Sequence, residues 1–225
     1  AVTMRYYQVM VIFGKGNGYF NKPLKIDVNG QPTGIIIGDY NKDENTDIAI
    51  GLAGSGNTGV QILWGDGDGN FEKSKVFKGG KQPLTVVNID VNNDGFLDIV
   101  TQGFDGKLSA INGNDLSLLW QYEIENTESS AAPILGKFSN DNGIDIFATI
   151  YSGSMSSYND YYQVLLNGEN GSELWIDSIG MVNFCSPIAF DSNNDNIDEV
   201  LISVINNNGS YFQNDLILVD FNDPT

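Results

Sequence analysis

The strongest constraint on the fold is an internal repeat with a period near 50 residues. An acidic segment that begins at Asp39 reads DYNKDENTD, and 51 residues later Asp90 begins the similar segment DVNNDGFLD. A third copy, DSNNDNIDE, begins at Asp191, and each copy is followed at once by an apolar, strand-like run. A repeat of this length indicates an architecture in which each unit packs against its neighbours.

A second feature repeats at the same interval and defines the content of one unit. The glycine-rich segments FGKGNGYF and WGDGDGNF begin at Phe13 and Trp64, again 51 residues apart, and both separate strand-like runs. Related turns, INGNDLSLLW and LNGENGSELW, follow later in the chain. One unit thus has four short strands, joined by an acidic loop, a variable loop and a tight turn. Four short antiparallel strands in about 50 residues are typical of a propeller blade. Because no segment keeps an apolar period of 3.6 residues, we expect almost no helix.

We therefore predict an all-β fold, a β-propeller of four-stranded antiparallel blades, with four to five blades forming a single domain or part of one. The predicted blades are approximately residues 1–30 (partial), 31–80, 81–128, 129–180 and 181–225 (incomplete). In the first of these, residues 4–27 are expected to supply only the last two strands. An open sheet edge exposes unpaired backbone N–H and C=O groups, which can pair with other chains. We expect further blades or another chain to complete the ring, with a closed five-bladed ring as the alternative.

Composition narrows the range of functions. The chain has 29 acidic and 11 basic residues and a net charge of −18, which disfavours nucleic acids and anionic membrane surfaces as partners. It has no histidine, which excludes histidine triads and most zinc sites. The single cysteine, Cys185, lies in an apolar segment and is expected to be buried and inert. No apolar run is long enough for a membrane-spanning helix, so we expect no direct membrane insertion.

The acidic segments carry the ligands that a hard cation prefers. Oxygen-bearing side chains occupy positions 1, 3, 5 and 9, and a backbone carbonyl is available at position 7. Calcium, which takes six or more oxygen ligands, fits such a loop better than magnesium or softer metals. We predict about three Ca²⁺ ions. The predicted ligands are Asp39, Asn41, Asp43, Asn45 and Asp47; Asp90, Asn92, Asp94, Phe96 and Asp98; and Asp191, Asn193, Asp195, Ile197 and Glu199.

Two features of these segments bear on that prediction. Asp and Asn are common in ordinary turns, but three copies in register, each with its strand, favour metal binding over that alternative. Position 6 should take a sharp bend, which Gly95 permits, whereas Glu44 and Asn196 occupy it in the other copies.

A fourth copy, KFSNDNGID from residue 137 to 145, is degenerate. Lys137 replaces the first carboxylate, and Ser139 replaces the ligand at position 3. We expect the lysine ammonium to substitute for an ion by pairing with Asp141 or Asp145. The sequence therefore predicts no calcium in this blade.

These segments also carry a resemblance to a known family. GDYNKDENTDIAIG and IDVNNDGFLDIV, with WGDGDGNF downstream, resemble the FG-GAP or VCBS repeats of integrin-alpha-like β-propellers over essentially the whole chain. The resemblance implies a propeller that usually has seven blades, with calcium between the first and second strands of some blades. It also implies a secreted or cell-surface location and a role mainly in adhesion and recognition. The turn LNGENGSELW is also similar to the Gly-and-Trp turns of quinoprotein-like propellers.

Antiparallel alternation predicts a second functional face. The acidic loops and tight turns should lie on one face, which we call the metal face, and the variable loops on the other, the variable face. The loops YSGSMSSYNDYY and INNNGSYFQND are rich in aromatic residues, which with Ser, Gly and Asn are typical of a recognition surface. The predicted ligand-binding residues are Tyr151, Tyr158, Tyr161, Tyr211 and Phe212. The alternative is that some of these aromatic residues pack between blades.

The sequence favours a calcium-binding, non-catalytic recognition or adhesion propeller. We expect it in an extracellular or cell-surface protein whose partner is an extracellular protein or a glycan. One alternative is a propeller-based carbohydrate-active enzyme, which needs free carboxylates on the variable face, where the loops offer only Asp160 and Asp215. Another is a structural assembly module whose edge strands pair with another chain.

Overall fold

A computed structural model of the 225-residue chain describes most of the sequence. The described residues are 2–5, 7–54, 58–77, 81–141, 143–154, 157–182, 186–207 and 212–222. They contain twenty β-strands and no helix, as expected from the sequence. Accordingly, this part of the chain has no helix long and apolar enough to cross a membrane.

The strands form five antiparallel sheets that follow one another along the chain. The first sheet contains β1 (Val2–Arg5), β2 (Gln8–Val11) and β3 (Leu24–Asp27). The second contains β4 (Gln31–Gly38), β5 (Asp47–Ala53), β6 (Gly59–Gly65) and β7 (Phe71–Phe77). The third contains β8 (Pro83–Ile89), β9 (Asp98–Gly103), β10 (Leu108–Ile111) and β11 (Leu118–Tyr122). The fourth contains β12 (Thr127–Glu128), β13 (Ile134–Gly136), β14 (Asp145–Ser154), β15 (Ser157–Leu166) and β16 (Glu173–Asp177). The fifth contains β17 (Met181–Val182), β18 (Ile188–Phe190), β19 (Glu199–Asn207) and β20 (Phe212–Val219). The predicted all-β fold of four-stranded antiparallel blades is confirmed.

The first sheet differs from the prediction. It has three strands rather than two, because β1 pairs with β2 from Val2 opposite Val11 to Arg5 opposite Gln8. The chain reverses between these strands at a turn that includes Tyr7, whose φ is 62°. Left-handed backbone at a tyrosine is uncommon, so no residue type in this segment signalled a turn.

The first strand of each later blade is bent or broken near a proline. In β4 and β8 the pairing register shifts just after Pro32 and Pro83. In the fourth sheet β12 and β13 pair with opposite ends of β14, and in the fifth β17 and β18 pair in the same way with β19. Pro133 and Pro187 directly precede β13 and β18. Because proline has no N–H to donate, each blade keeps it where the ladder is irregular.

Hydrophobic cores fill the spaces between successive sheets. Ile48 and Ile50 of β5 pack toward the first sheet with Val9, whereas Ala49 packs toward the third sheet with Ile99. Every side chain of β5 is therefore buried. Burial on both faces explains why the second strand of each blade reads as a continuous apolar run.

The Gly-and-Trp turns join neighbouring blades. Trp120 of β11 donates a hydrogen bond from Nε1 to the carbonyl oxygen of Gly168 in the next blade, at 2.7 Å. Its ring also covers Gly171, where a Cβ would come within 2.6 Å of the ring. Trp175 of β16 packs edge-on against Phe221, with ring centroids 5.5 Å apart. Each tryptophan thus fixes the last strand of one blade to the tight turn of the next.

Within the described residues, the fifth sheet has one covered and one uncovered face. Val200 and Ile202 of β19 pack into the core shared with the fourth sheet. On the opposite face Leu216 is 72% exposed, and Leu218 and Ile188 are also exposed. Because Ile188 and Leu218 both pair with Leu201, these side chains form one apolar surface.

Candidate metal centre

Each complete acidic loop joins the first and second strands of a blade. The three loops, residues 39–47, 90–98 and 191–199, connect β4 to β5, β8 to β9 and β18 to β19. Position 9 is the first residue of the second strand, so burial of that strand also buries its carboxylate. The position-9 residues Asp47 and Asp98 have no exposed surface, and Glu199 is 2% exposed.

Backbone N–H groups shape the first acidic loop around its side-chain oxygens. The carboxylate of Asp39 accepts hydrogen bonds from the N–H groups of Asp43 and Glu44, at 3.1 and 2.9 Å. Asn41 Oδ1 accepts a second bond from the N–H of Asp43, at 3.1 Å. The carboxylate of Asp43 in turn accepts from the N–H of Asn45, at 2.8 Å. These bonds curl the loop and bring oxygens from positions 1, 3 and 5 together.

The other two complete loops repeat this hydrogen-bond pattern. In residues 90–98 and 191–199 the same positions donate and accept, with all N···O distances between 2.8 and 3.2 Å. The backbone takes a positive φ at positions 4 and 6 of every loop. These residues are Lys42 and Glu44, Asn93 and Gly95, and Asn194 and Asn196. The sequence indicated the bend at position 6 but not the one at position 4, which Asn93 and Asn194 could have signalled, since asparagine tolerates left-handed backbone.

The carboxylate of Asp98 is the clearest electrostatic anomaly in these loops. Its Oδ2 accepts a hydrogen bond from the N–H of Val91 at 3.1 Å, but its Oδ1 accepts no hydrogen bond of good geometry, although the N–H of Gly113 lies nearby. Burial, with a further contribution from Asp94 and Asp90, raises the pKa of Asp98 to about 6. A buried, unpaired carboxylate oxygen beside two other carboxylates is a position that a cation would stabilise.

The equivalent carboxylates differ in how they are satisfied. Both oxygens of Asp47 accept backbone hydrogen bonds, from Tyr40 at 3.0 Å and from Gly65 at 2.8 Å, yet burial still raises its pKa. Glu199 Oε2 accepts from the N–H of Ser192 at 2.6 Å. At the solvent-facing position 5, the backbone N–H of Asn45 lowers the pKa of Asp43. In the first two loops, a solvent-facing position-5 carboxylate with a lowered pKa thus accompanies a buried position-9 carboxylate with a raised pKa.

The third loop brings its acidic groups closest together. Oxygens of Asp191, Asp195 and Glu199 lie within 4.8 Å of one another, the one acidic triad at this spacing among the described residues. The first two loops have aspartate at position 9, one methylene shorter than glutamate. The longer Glu199 reaches further toward positions 1 and 5.

The tight turns add amide groups that the sequence analysis missed. Asn112 donates from Nδ2 to Asp94 at 2.9 Å, and Asn222 donates in the same way to Asp195 at 2.8 Å. The turns and acidic loops therefore share the metal face, as antiparallel alternation predicted. A neighbouring cleft of about 800 Å³ lies beside the first loop. Its lining includes Asn41, Asp43, Trp64, Asp66, Glu72 and Asn114.

Lys42 links the first acidic loop to the second. Its ammonium lies 4.3 Å from the centroid of the Phe96 ring, a cation–π contact between neighbouring blades. The same charge contributes to the lowered pKa of Asp94, after the dominant hydrogen bond from the N–H of Phe96. Adjacent loops on the metal face are thus in direct contact.

The predicted aromatic surface is only partly formed by the described residues. Tyr151, Tyr158 and Tyr161 form a cluster with ring centroids 5.2 to 6.1 Å apart. Tyr151 is 3% exposed, so its ring supports the cluster rather than presenting a surface. Tyr158 donates a hydrogen bond to Glu128 at 2.9 Å, and burial together with this bond raises its pKa to about 12.

Two predictions from the sequence remain: the last two aromatic binding residues and the lysine pairing in the degenerate loop. Tyr211 and the side chain of Phe212 lie outside the described part of the chain, as does Cys185. The predicted pairing of Lys137 with Asp141 or Asp145 is wrong: among the described residues the ion pair within 4 Å joins Lys107 and Glu123.

Comparisons with known proteins agree with this architecture. Residues 46–101 match the FG-GAP-like repeat family. They span the end of the first acidic loop, β5 to β8, and the second acidic loop. A search of curated proteins found no significant match.

Two solved structures illustrate the structural similarity. BBS1N, in a crystal structure of its complex with ARL6DN, is 14% identical, with a TM-score of 0.58 over 97% of this chain and 59% of that chain. The exotype rhamnogalacturonan lyase YesX is 15% identical, with a TM-score of 0.50 over 95% of this chain and 47% of that chain. This chain therefore spans less than two thirds of either relative, and at these identities the likeness concerns the fold. Together with the five antiparallel sheets, this likeness shows a β-propeller fold, in which residues 46–101 form an FG-GAP-like repeat.

Proposed function

We propose that this chain is a calcium-binding, non-catalytic recognition module of an extracellular or cell-surface protein. The observation that carries the proposal is the common hydrogen-bond pattern of three acidic loops on one face. Each loop gathers only oxygen ligands, which calcium prefers, and the described residues hold no histidine or cysteine beside them.

Calcium in these loops would stabilise the fold. Each ion would offset two of the three carboxylate charges of its loop, and in the second loop it would place a positive charge beside the buried Asp98. It would also offset the unfavourable positive φ of Lys42 and Glu44 in the first loop. Because the loops join the first and second strands, ions bound there would hold each blade's entry strand to its buried second strand.

The variable face supports a recognition role. Tyr158 and Tyr161 are half-buried on a long hairpin, packed against the buried Tyr151. A rigid aromatic pair on a metal-stabilised scaffold suits contact with an extracellular protein or a glycan. The relative BBS1N is described in complex with another protein, which is consistent with a propeller that binds a partner.

The uncovered face of the fifth sheet supports a further kind of contact. In the preceding blades the equivalent face packs on the next sheet, through Ala49, Val100 and Phe147. We propose that another blade-like sheet, from further sequence or from another chain, covers Leu216 and Leu218. Light scattering will detect self-association through this surface, and Leu216→Lys should abolish it. A wild type that is monomeric, with a behaviour unchanged by Leu216→Lys, would count against a second copy of this chain as the covering sheet.

The alternative is a carbohydrate-active enzyme. It is favoured by the likeness to a rhamnogalacturonan lyase and by the cleft that Trp64, Asp43, Asp66 and Glu72 line on the metal face. Incubation with rhamnogalacturonan and other acidic polysaccharides tests this alternative. Cleavage of the polysaccharide by the wild type but not by Glu72→Gln would refute the non-catalytic proposal in favour of the enzyme. A polysaccharide that stays intact would support the non-catalytic proposal.

Bound-metal analysis with thermal melts tests the proposed function. We expect calcium to be retained after desalting and the melting temperature to fall in chelator, because a ligand that binds only the folded state stabilises it by mass action. Asp39→Asn should remove one ion, while Asp27→Asn, an exposed change on β3, should remove none. A chain without calcium, and with the same melt in chelator, would refute the proposal.

A further inference from the structure

Three buried oxygen atoms of the degenerate loop lack hydrogen-bond partners. They are Ser139 Oγ and both carboxylate oxygens of Asp145, a residue with no exposed surface. Asp145 lies near the Ser139 hydroxyl and the N–H groups of Phe138 and Gly168, but no hydrogen bond with good geometry forms. Burying a carboxylate without partners is costly, so this position calls for a positive charge or a proton.

The degenerate loop keeps part of the arrangement of the complete loops. The N–H of Gly143 donates to Asp141 at 2.8 Å, which is the position 7 to position 5 bond of the other loops. Asn167 of the tight turn donates to Asp141 at 3.1 Å, as Asn112 does to the position-5 carboxylate of the second loop. Asp145 also begins the second strand of its blade. The loop has therefore lost its first carboxylate and the positive φ at position 4, but it keeps the position-5 contacts and the buried position-9 carboxylate.

The lysine that was expected to replace an ion is held by its backbone to the neighbouring blade. The N–H of Lys137 donates to the Asp198 carboxylate at 2.8 Å, and its carbonyl accepts from the N–H of Asp198 at 2.7 Å. Its ammonium forms no ion pair within 4 Å with Asp141 or Asp145. The buried carboxylate is thus not neutralised by a lysine salt bridge.

We propose that the degenerate loop is a fourth cation site, which binds a hard divalent ion through Asp145, Asp141 and Ser139. Two carboxylates and a hydroxyl are oxygen ligands of the kind that calcium and magnesium take. With one carboxylate fewer than the complete loops and a lysine at position 1, the site should bind more weakly than they do, because ligand charge sets affinity. This inference contradicts the sequence prediction of no calcium in this blade. It rests on the proposed function, because the three complete loops serve as its reference sites.

Calcium titration with ion counting tests the site on the whole chain. We expect one ion beyond those of the three complete loops, bound at higher calcium concentration and released first as chelator is added. Asp145→Asn should remove this ion alone. Because a buried substitution can disturb folding, Asp141→Asn, an exposed change, should weaken the same ion at least tenfold, and Asp177→Asn on β16 serves as the matched control.

The outcomes separate this inference from the proposed function. If the wild type binds only the ions of the complete loops, and Asp145→Asn and Asp141→Asn leave the titration unchanged, the fourth site does not exist although the proposed function stands. If no variant and no wild-type sample binds an ion, both fail. Repeating the titration with magnesium alone identifies which of the two cations the loop prefers.

Discussion

The pH dependence of stability should reverse when calcium is removed, and Asp98 allows the effect to be calculated. Burial raises its pKa from an ordinary 3.8 to about 6. The ionised form is thus penalised in the folded protein. A difference of about two pKa units corresponds to about 3 kcal/mol at a pH above 6. That cost disappears as the pH falls toward 4, because the folded state then binds a proton that the unfolded state does not hold.

Asp98→Asn isolates this contribution from those of other groups. In chelator at pH 7.5 the variant should be more stable than the wild type by up to about 3 kcal/mol, and the difference should fall to about 1 kcal/mol near pH 4.5. In calcium at pH 7.5 the order should invert, because only the wild type keeps the full ligand set of the second loop. Urea unfolding followed by tryptophan fluorescence at each pH measures both differences.

Two results would refute this reasoning. A difference between wild type and Asp98→Asn that does not change from pH 4.5 to 7.5 in chelator would mean that Asp98 has an ordinary pKa. An unchanged order in calcium would mean that the second loop binds no metal. Asp68→Asn, in the exposed turn between β6 and β7, provides a control that should show neither effect.

Two further predictions concern the contacts between and within blades. Trp120→Phe should destabilise the protein by about 1 to 3 kcal/mol in urea unfolding, because it leaves the carbonyl of Gly168 without its buried donor. Trp175→Phe should cost less, since the described residues offer its Nε1 no partner, and equal losses would contradict the role of the hydrogen bond. Tyr158→Phe removes the hydrogen bond to Glu128 and should remove the tyrosine component that titrates near pH 12 in the wild type. An ultraviolet titration of wild type that lacks a tyrosine component near pH 12 would contradict it.

The sequence alone predicted the repeat but not every contact between repeats. Period and alternation predicted the blades because the buried second strand and the acidic loop have distinct local patterns. The extra strand β1 was missed because Tyr7 adopts a turn conformation that its residue type does not favour. The roles of Asn112 and Asn222 were missed because each acts on a loop 18 or 27 residues earlier, which is a consequence of the blade's register.

Lys137 shows a second reason why the sequence did not predict every contact. Its charge made pairing with a nearby carboxylate plausible, but position along the chain does not give the direction of a side chain. The backbone of Lys137 is fixed to Asp198 in the next blade, 61 residues away. Only the packing of two blades determines that contact.

Two kinds of contact join neighbouring blades, and they differ in how strongly salt weakens them. On the metal face, the second and third sheets meet through the ammonium of Lys42 and the ring of Phe96, whereas the later sheets meet through tryptophans set on Gly168 and Phe221. Added salt screens the charge of Lys42 in the first contact but does not affect the uncharged tryptophan contacts. Rising salt should therefore weaken the contact of the second and third sheets on the metal face before it affects the tryptophan contacts, while the hydrophobic cores between all sheets remain.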